Sequence, residues 1–234
     1  MKRGSQAGMT LMELLIAVTL FSLLSMGMLY AFRIGLNAYS KTQTKLMDNR
    51  RVVGAQRILE QELQSLIPVV VRCGMDETGP RAPFFHGEPE AMRLVSTFSL
   101  QEASRGMAQI LEIFVAPSED GRGVRLLVNE IPYAGPRAAG QLCTTPGHYL
   151  PVMASERSFV LADRLAYCRF SYLYVPLEPQ PKLLWSSLFE GKTWPRAIRV
   201  EMAPLEPDPS RLQPIGMTAL IRVHRSAEFD YSDF

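Results

Sequence analysis

The chain has 234 residues, of which 47% are hydrophobic and 21% are charged. Its 25 lysines and arginines nearly balance its 23 aspartates and glutamates, which leaves a net charge of +2. Nucleic-acid binding usually needs a clustered basic surface, so this composition gives no reason to expect a nucleic-acid partner.

The first predicted element is an apolar helix near the N-terminus. Residues 14–32 are 19 consecutive uncharged residues, close to the roughly 20 that cross a ~30 Å hydrocarbon core as a helix. Lys2 and Arg3 precede the run with no acid beside them, and this bias places the N-terminus in the cytoplasm. The run is longer than the apolar region of a secretory signal and lacks a convincing small-residue cleavage site behind it. We therefore expect a single membrane-spanning helix that is not cleaved behind the run.

One carboxylate, Glu13, stands at the start of this apolar run. A charged side chain inside a bilayer costs about 3 kcal/mol on insertion scales, so an acid there suggests a function and a partner. The simpler interpretation is that Glu13 lies at the level of the lipid headgroups. Its position alone leaves both interpretations open.

The residues around Glu13, GMTLMELLIAV from Gly8 to Val18, resemble the N-terminus of type IV prepilins and of type II secretion pseudopilins. The resemblance implies a leader of residues 1–8 and a membrane helix of residues 9–33. It also implies that a prepilin peptidase cuts between Gly8 and Met9 and then methylates the amine of Met9. Phenylalanine is usual at this position, and the family tolerates methionine.

The same resemblance implies a partner for the acid. The new amine of Met9 can pair with Glu13 of its own chain or of a neighbouring subunit. Burying both charges together avoids leaving one of them uncompensated. Loss of Lys2 and Arg3 with the leader would leave 23 basic and 23 acidic residues, a neutral mature chain.

The helix is predicted to continue beyond the membrane as an amphipathic segment, residues 34–67, and to end at Pro68. Polar and charged residues largely separate its apolar positions, which recur near the helical period. These positions are Tyr39, Leu46, Val53, Leu59, Leu63, Leu66 and Ile67.

Residues 68–234 change to short alternating segments separated by proline and glycine, which predict strands. Alternation around Ile110 to Val115 indicates a sheet with one face on a core. Gly74–Pro89, Pro132–Pro151 and Pro204–Pro214 are predicted as long loops and candidate interaction surfaces. The fold class is therefore α+β, a pilin-like fold with an antiparallel sheet on the far half of the long helix. The predicted strands are Met92–Leu100, Gln109–Ala116, Val124–Ile131, Ser158–Leu161, Leu165–Val175, Arg196–Ala203 and Met217–Arg225.

Three cysteines are present, and an exported domain meets an oxidising compartment. Three single disulfides are possible, each with one free thiol. Cys168 shares a strand face with Phe170 and Tyr172, so we expect it to be a buried thiol. This favours a disulfide between Cys73 and Cys143.

Further segments are similar to the J-type minor pseudopilins of type II secretion, and PilW-like minor pilins of type IV pili share the same order of elements. The J-type resemblance implies a subunit of the pseudopilus tip complex, anchored in the inner membrane with its C-terminal domain in the periplasm. Its implied partners are the prepilin peptidase and other minor and major pseudopilins. The similar segments are residues 57–64, 165–173, Trp185 and 194–202.

A different class, a membrane-anchored periplasmic enzyme, has little support in the sequence. His86, His148 and His224 are isolated and form no metal-ligand pair. No nucleophile elbow or phosphate-binding glycine loop is present either. We therefore expect no enzyme activity, no cofactor and no catalytic residue.

Overall fold

The computed structural model describes residues 10–74, 80–99, 104–175, 182–189, 193–205 and 215–222. The chain divides into two units, residues 1–48 and residues 49–234, and each is described by itself. Helix α1 (Leu11–Gln64) contributes residues to both. The predicted leader, residues 1–8, and Met9 lie outside the described residues.

In the first unit, α1 from Leu11 to Gln43 is long and apolar enough to cross a membrane, and its mean hydropathy reaches 2.1. The large apolar side chains between Leu11 and Tyr39 are 49–83% exposed. Apolar residues on every side of a helix are typical of a segment surrounded by lipid or by other chains.

The second unit is built on an antiparallel sheet, which has eight strands among the described residues. The strand order is β12-β11-β9-β6-β5-β4-β3, and β10 also pairs with β9. A long N-terminal helix followed by an antiparallel sheet confirms the predicted α+β fold. The strands of this sheet are β3 (His86–Gly87), β4 (Ala91–Ser99), β5 (Ser104–Pro117), β6 (Val124–Pro132), β9 (Phe159–Tyr174), β10 (Leu184–Ser186), β11 (Ala197–Pro204) and β12 (Ile215–Leu220).

The last turns of α1 pack on one face of this sheet. Leu59, Leu63 and Leu66 recur at helical spacing and are nearly fully buried, and full burial of such a side chain contributes about 1.5–3 kcal/mol. The helix ends at Gln64, three residues before the predicted end. The Ile67 amide donates to the Val95 carbonyl at 2.8 Å, so the chain joins the sheet before Pro68 can end the helix.

The opposite face of the sheet carries a second core. Leu94 and Leu111 belong to the core beneath α1, whereas Val95 and Ile110 belong to the second core. The prediction that only one face of these strands lies on a core is therefore wrong. Short elements provide the second cover: β1 (Val70–Arg72) paired with β2 (Arg81–Pro83), α2 (Pro136–Gly140), and β7 (Cys143–Thr145) paired with β8 (His148–Tyr149).

Other predicted boundaries also change. The predicted loops 74–89 and 132–151 contain β2, β3, α2, β7 and β8, because buried residues anchor them to the sheet. The two strands predicted at 158–161 and 165–175 form one strand, β9, with an irregular register near Arg164 (φ 55°). β12 ends at Leu220, five residues before the predicted end of the last strand, and residues 223–225 of that prediction lie outside the described residues. Residues 206–214 of the predicted loop 204–214 also lie outside them.

Candidate functional site

The start of α1 is defined by a helix-capping sequence, Thr10-Leu-Met-Glu13. The Glu13 amide donates to the Thr10 hydroxyl at 3.4 Å and to the Thr10 carbonyl at 3.1 Å. Thr followed three residues later by Glu is the capping-box pattern. A carboxylate in the first turn also interacts favourably with the free amides at a helix N-terminus. Glu13 therefore suits the helix start as well as the predicted ion pair.

Only one partner of the predicted ion pair between the Met9 amine and Glu13, namely Glu13, lies among the described residues. Glu13 is exposed, so its carboxylate is open to a group from outside its own helix. Gly8 and Met9, the predicted cleavage and methylation residues, lie outside the described residues. Cleavage at Gly8, methylation of Met9 and the pairing with Glu13 all stay predictions.

Hydroxyl groups within the apolar helix bond to its own backbone. Thr19 Oγ1 donates to the Ile16 carbonyl at 2.9 Å, and Ser22 Oγ donates to the Val18 carbonyl at 2.8 Å. Such bonds satisfy polar groups that would find no water in hydrocarbon. These two polar residues are therefore compatible with a membrane position.

In the globular unit, a buried ion pair joins two neighbouring strands. Arg93 on β4 is 1% exposed and lies opposite Glu112 on β5, which is 6% exposed. Arg93 Nε donates to Glu112 Oε1 at 2.9 Å, and the guanidinium nitrogen Nη2 also donates to this oxygen. Nη2 also donates to the Leu150 carbonyl at 3.1 Å, and the guanidinium carbon lies 5.5 Å from the centre of the Tyr149 ring. Burial raises the pKa of Tyr149 to about 12.

A disulfide joins the residue after β1 to the first residue of β7, close in the chain to the residues that contact Arg93. Cys73 and Cys143, the pair that the sequence favoured, are bonded with Cα atoms 5.0 Å apart. Cys168 is a free, buried cysteine, and burial raises the pKa of its thiol to about 12. The disulfide and the Arg93 contact together fix the segment that covers the second core.

The ion pair was missed because its residues look like ordinary surface charges in the sequence. Arg93 and Glu112 are 19 positions apart, and Glu112 alternates with apolar residues as a solvent-facing acid would. Only the strand register and the cover from β7 and β8 bring the two charges together inside.

A second buried carboxylate, Glu62, lies on the face of α1 that packs on the sheet. It is 1% exposed, and neither carboxylate oxygen has a hydrogen-bond partner. The pKa of Glu62 is raised to about 7, mainly by burial and to a smaller extent by the Glu130 carboxylate. The Ser96 hydroxyl acts in the opposite direction, although its geometry falls short of a hydrogen bond. Spacing could have identified Glu62, since it lies three residues after Leu59 on the same helix face.

Two of the three histidines, His86 and His148, lie within electrostatic range of each other. His86 Nε2 lies 3.0 Å from Glu88 Oε1. Burial lowers the pKa of His86, and a positive charge on His148 acts in the same direction to a smaller extent. His148 is exposed, and His224 lies outside the described residues. Among the residues that the structure describes, no three His, Cys, Asp or Glu side chains are grouped as metal ligands.

Comparison with known proteins identifies the N-terminal segment. Residues 3–29 match the family model of the prokaryotic N-terminal methylation motif. No curated protein matches the chain. The motif overlaps the exposed apolar helix Leu11–Gln43, and together they support a membrane-anchored, type IV pilin-like protein.

Proposed function

We propose that this protein is a J-type minor pseudopilin of a type II secretion system, a structural subunit of the pseudopilus that supports protein export. The main support is the methylation motif at residues 3–29, placed directly on an exposed helix of membrane-spanning length. The large β-sheet domain, with a core on each face of the sheet, also supports the assignment, since J-type subunits resemble this chain in size and β content. In this role the protein works by binding other subunits and not by catalysis.

The proposed topology places the N-terminus in the cytoplasm, residues 9–33 across the inner membrane and residues 34–234, including the rest of α1, in the periplasm. The disulfide between Cys73 and Cys143 supports this arrangement, because disulfides persist in oxidising compartments such as the periplasm. The proposed partners are the prepilin peptidase and the other minor and major pseudopilins, with a position in the tip complex.

Assembly in this proposal depends on the charge of Glu13. The peptidase releases the Met9 amine, and the exposed Glu13 carboxylate of one subunit neutralises the amine of the next. Glu13→Gln keeps the shape of the side chain but removes its charge. We expect normal membrane insertion and normal cleavage at Gly8, but weaker co-purification with partner subunits. Wild-type recovery of partners would exclude the pairing and leave Glu13 as a helix-capping residue.

Processing can be tested by intact mass. Co-expression with a prepilin peptidase should shorten the chain by the leader, residues 1–8, and add a methyl group to Met9. The matched control, Gly8→Leu, should keep the full precursor mass. Cleavage of the Gly8 variant between residues 8 and 9 would contradict the peptidase assignment.

Gene deletion in the source bacterium separates the two pilin-like assignments. A type II pseudopilin deletion should leave exported proteins in the periplasm while surface pili remain. Loss of pili with normal secretion would instead identify a PilW-like minor pilin. A membrane-anchored enzyme would change neither process.

A further inference from the structure

Four large apolar side chains are exposed within six consecutive residues of the globular unit. Leu183 is 56% exposed, Leu184 44%, Trp185 38% and Leu188 45%. Leu184 and Trp185 are successive strand residues and therefore face opposite sides of the sheet. Single exposed apolar residues are normal on protein surfaces, whereas several within one short segment suggest a binding surface. Residues 183–188 are named the Leu-Trp patch here.

Bonds at both ends hold the patch in place. β10 pairs with β9 through three residues, and the Leu188 amide donates to the Ser186 hydroxyl at 3.1 Å. The next residue, Phe189, is 3% exposed, and its amide donates to the Gly87 carbonyl at 2.7 Å. Its ring lies 5.3 Å from that of Phe85 in the core. The apolar side chains are thus presented by an ordered backbone, which lowers the entropy cost of binding.

Two positively charged side chains, Arg199 and Lys182, lie beside the Leu-Trp patch. The guanidinium carbon of Arg199 lies 4.0 Å from the centre of the Trp185 ring, a cation–π arrangement. Lys182 is exposed immediately before the patch. Glu201 follows on the same face of β11, but it lies opposite Arg169 in the strand register. The described residues beside the patch therefore offer two cations to an anionic surface.

We propose that the Leu-Trp patch docks on the surface of an anionic lipid bilayer. Trp185 would lie at the level of the headgroups, the leucines would enter the acyl boundary, and Lys182 and Arg199 would face lipid phosphates. Tryptophan is enriched at membrane interfaces, and leucine with flanking cations is typical of segments that lie in the interface. This docking describes a state of the membrane-anchored subunit and does not depend on the assignment to type II secretion.

The size of the patch favours a membrane over a separate protein partner. A stable protein interface buries about 800 Å² on each partner, more than four partly exposed side chains supply. Weak interfacial signals become effective when the same chain has a second membrane anchor. The helix from Leu11 to Gln43 provides such an anchor and keeps the bilayer at high effective concentration.

Tryptophan fluorescence of the full chain in lipid nanodiscs can test this docking. The chain has two tryptophans: Trp185 in the patch and Trp194, which is 5% exposed in the core. Neither lies in residues 1–48, so the emission reports only on the globular unit. Phosphatidylglycerol nanodiscs with brominated acyl chains should quench Trp185. Trp185→Phe should remove the quenched component while the Trp194 emission stays.

Matched variants separate patch binding from a general change of the surface. Leu183→Glu with Leu188→Glu should abolish quenching by the brominated lipid. The control pair, Met107→Glu with Met153→Glu, changes side chains that are 72% and 73% exposed outside the patch, and it should keep the quenching. Lys182→Gln should weaken docking about fivefold on phosphatidylglycerol, the usual effect of one cation near an anionic surface.

Two results would overturn the proposal. One is the absence of quenching in phosphatidylglycerol nanodiscs when the near-ultraviolet circular dichroism spectrum shows a folded protein. The other is a Trp185 that stays accessible to acrylamide in these nanodiscs and becomes protected only when other pilin-like subunits are added. The second result would reassign the patch to a protein partner.

Discussion

The buried carboxyl of Glu62 predicts that the globular unit loses stability as the pH rises. Its side chain is 1% exposed and has no hydrogen-bond partner, so the neutral form is favoured inside the protein. The pKa rises from 4.5 to about 7 on folding. A raised carboxyl pKa means that the folded state binds the proton more tightly than the unfolded state. The stabilisation is therefore complete below pH 4.5 and is lost as the pH rises through 7.

The expected size follows from the same shift. One pKa unit corresponds to 1.36 kcal/mol, so Glu62 should lower the free energy of unfolding by about 2.5 kcal/mol between pH 5 and pH 8. Glu62→Gln carries no titrating proton, so its own contribution should be constant over this range. The variant should match wild type within about 1 kcal/mol at pH 5 and exceed it at pH 8.

Urea unfolding of the full chain in detergent, followed by the emission of buried Trp194, measures this effect at each pH. Glu60→Gln is the matched control, because Glu60 is exposed two residues earlier on the same helix, and it should leave the pH dependence of wild type unchanged. If Glu62→Gln keeps the wild-type loss of stability between pH 5 and pH 8, Glu62 is not the titrating group and the reasoning fails.

Three further predictions concern the globular unit. Reduction of the disulfide between Cys73 and Cys143, which are 70 positions apart, should cost about 4 kcal/mol in urea unfolding; an unchanged midpoint would mean that the bond constrains little. Glu112→Gln leaves the Arg93 guanidinium buried without its counter-charge and should cost about 3–5 kcal/mol, whereas a loss below 1 kcal/mol would show that water reaches the arginine. Gly87→Ala would place its methyl 2.6 Å from a buried tyrosine ring and should cost about 1–3 kcal/mol by thermal unfolding; a wild-type melting temperature would show that the ring can move.

Local patterns were sufficient for the helix and for most of the sheet. Leu59, Leu63 and Leu66 recur at the helical period and are buried on one side. Alternation along Ile110 to Val115 marks a strand without knowledge of its neighbours. Both patterns act over a few residues, so the sequence contains them directly.

Features that depend on distant segments could not be predicted in this way. Alternation shows that Glu112 and Leu111 face opposite sides of a strand, but it does not show what covers each side. The segment predicted as a loop, residues 132–151, supplies much of that cover through α2, β7 and β8. A buried arginine and a second core follow from tertiary packing, which overrides the local pattern.

Two features of the globular unit depart from the usual pattern of polar residues outside and apolar residues inside. They are the buried Arg93 and the exposed Leu-Trp patch, and they have different explanations. The burial of Arg93 is explained within the unit, since the guanidinium bonds Glu112 and also the carbonyl of Leu150. Removal of the pair should therefore act on stability. The Leu-Trp patch is explained only in part in this way, through the contact of Trp185 with Arg199. An ordered backbone keeps its four large apolar side chains partly exposed, although burying them would be favourable. Substitutions in the patch should therefore leave stability nearly unchanged and act on what the protein binds, and this difference separates a structural element from a binding surface.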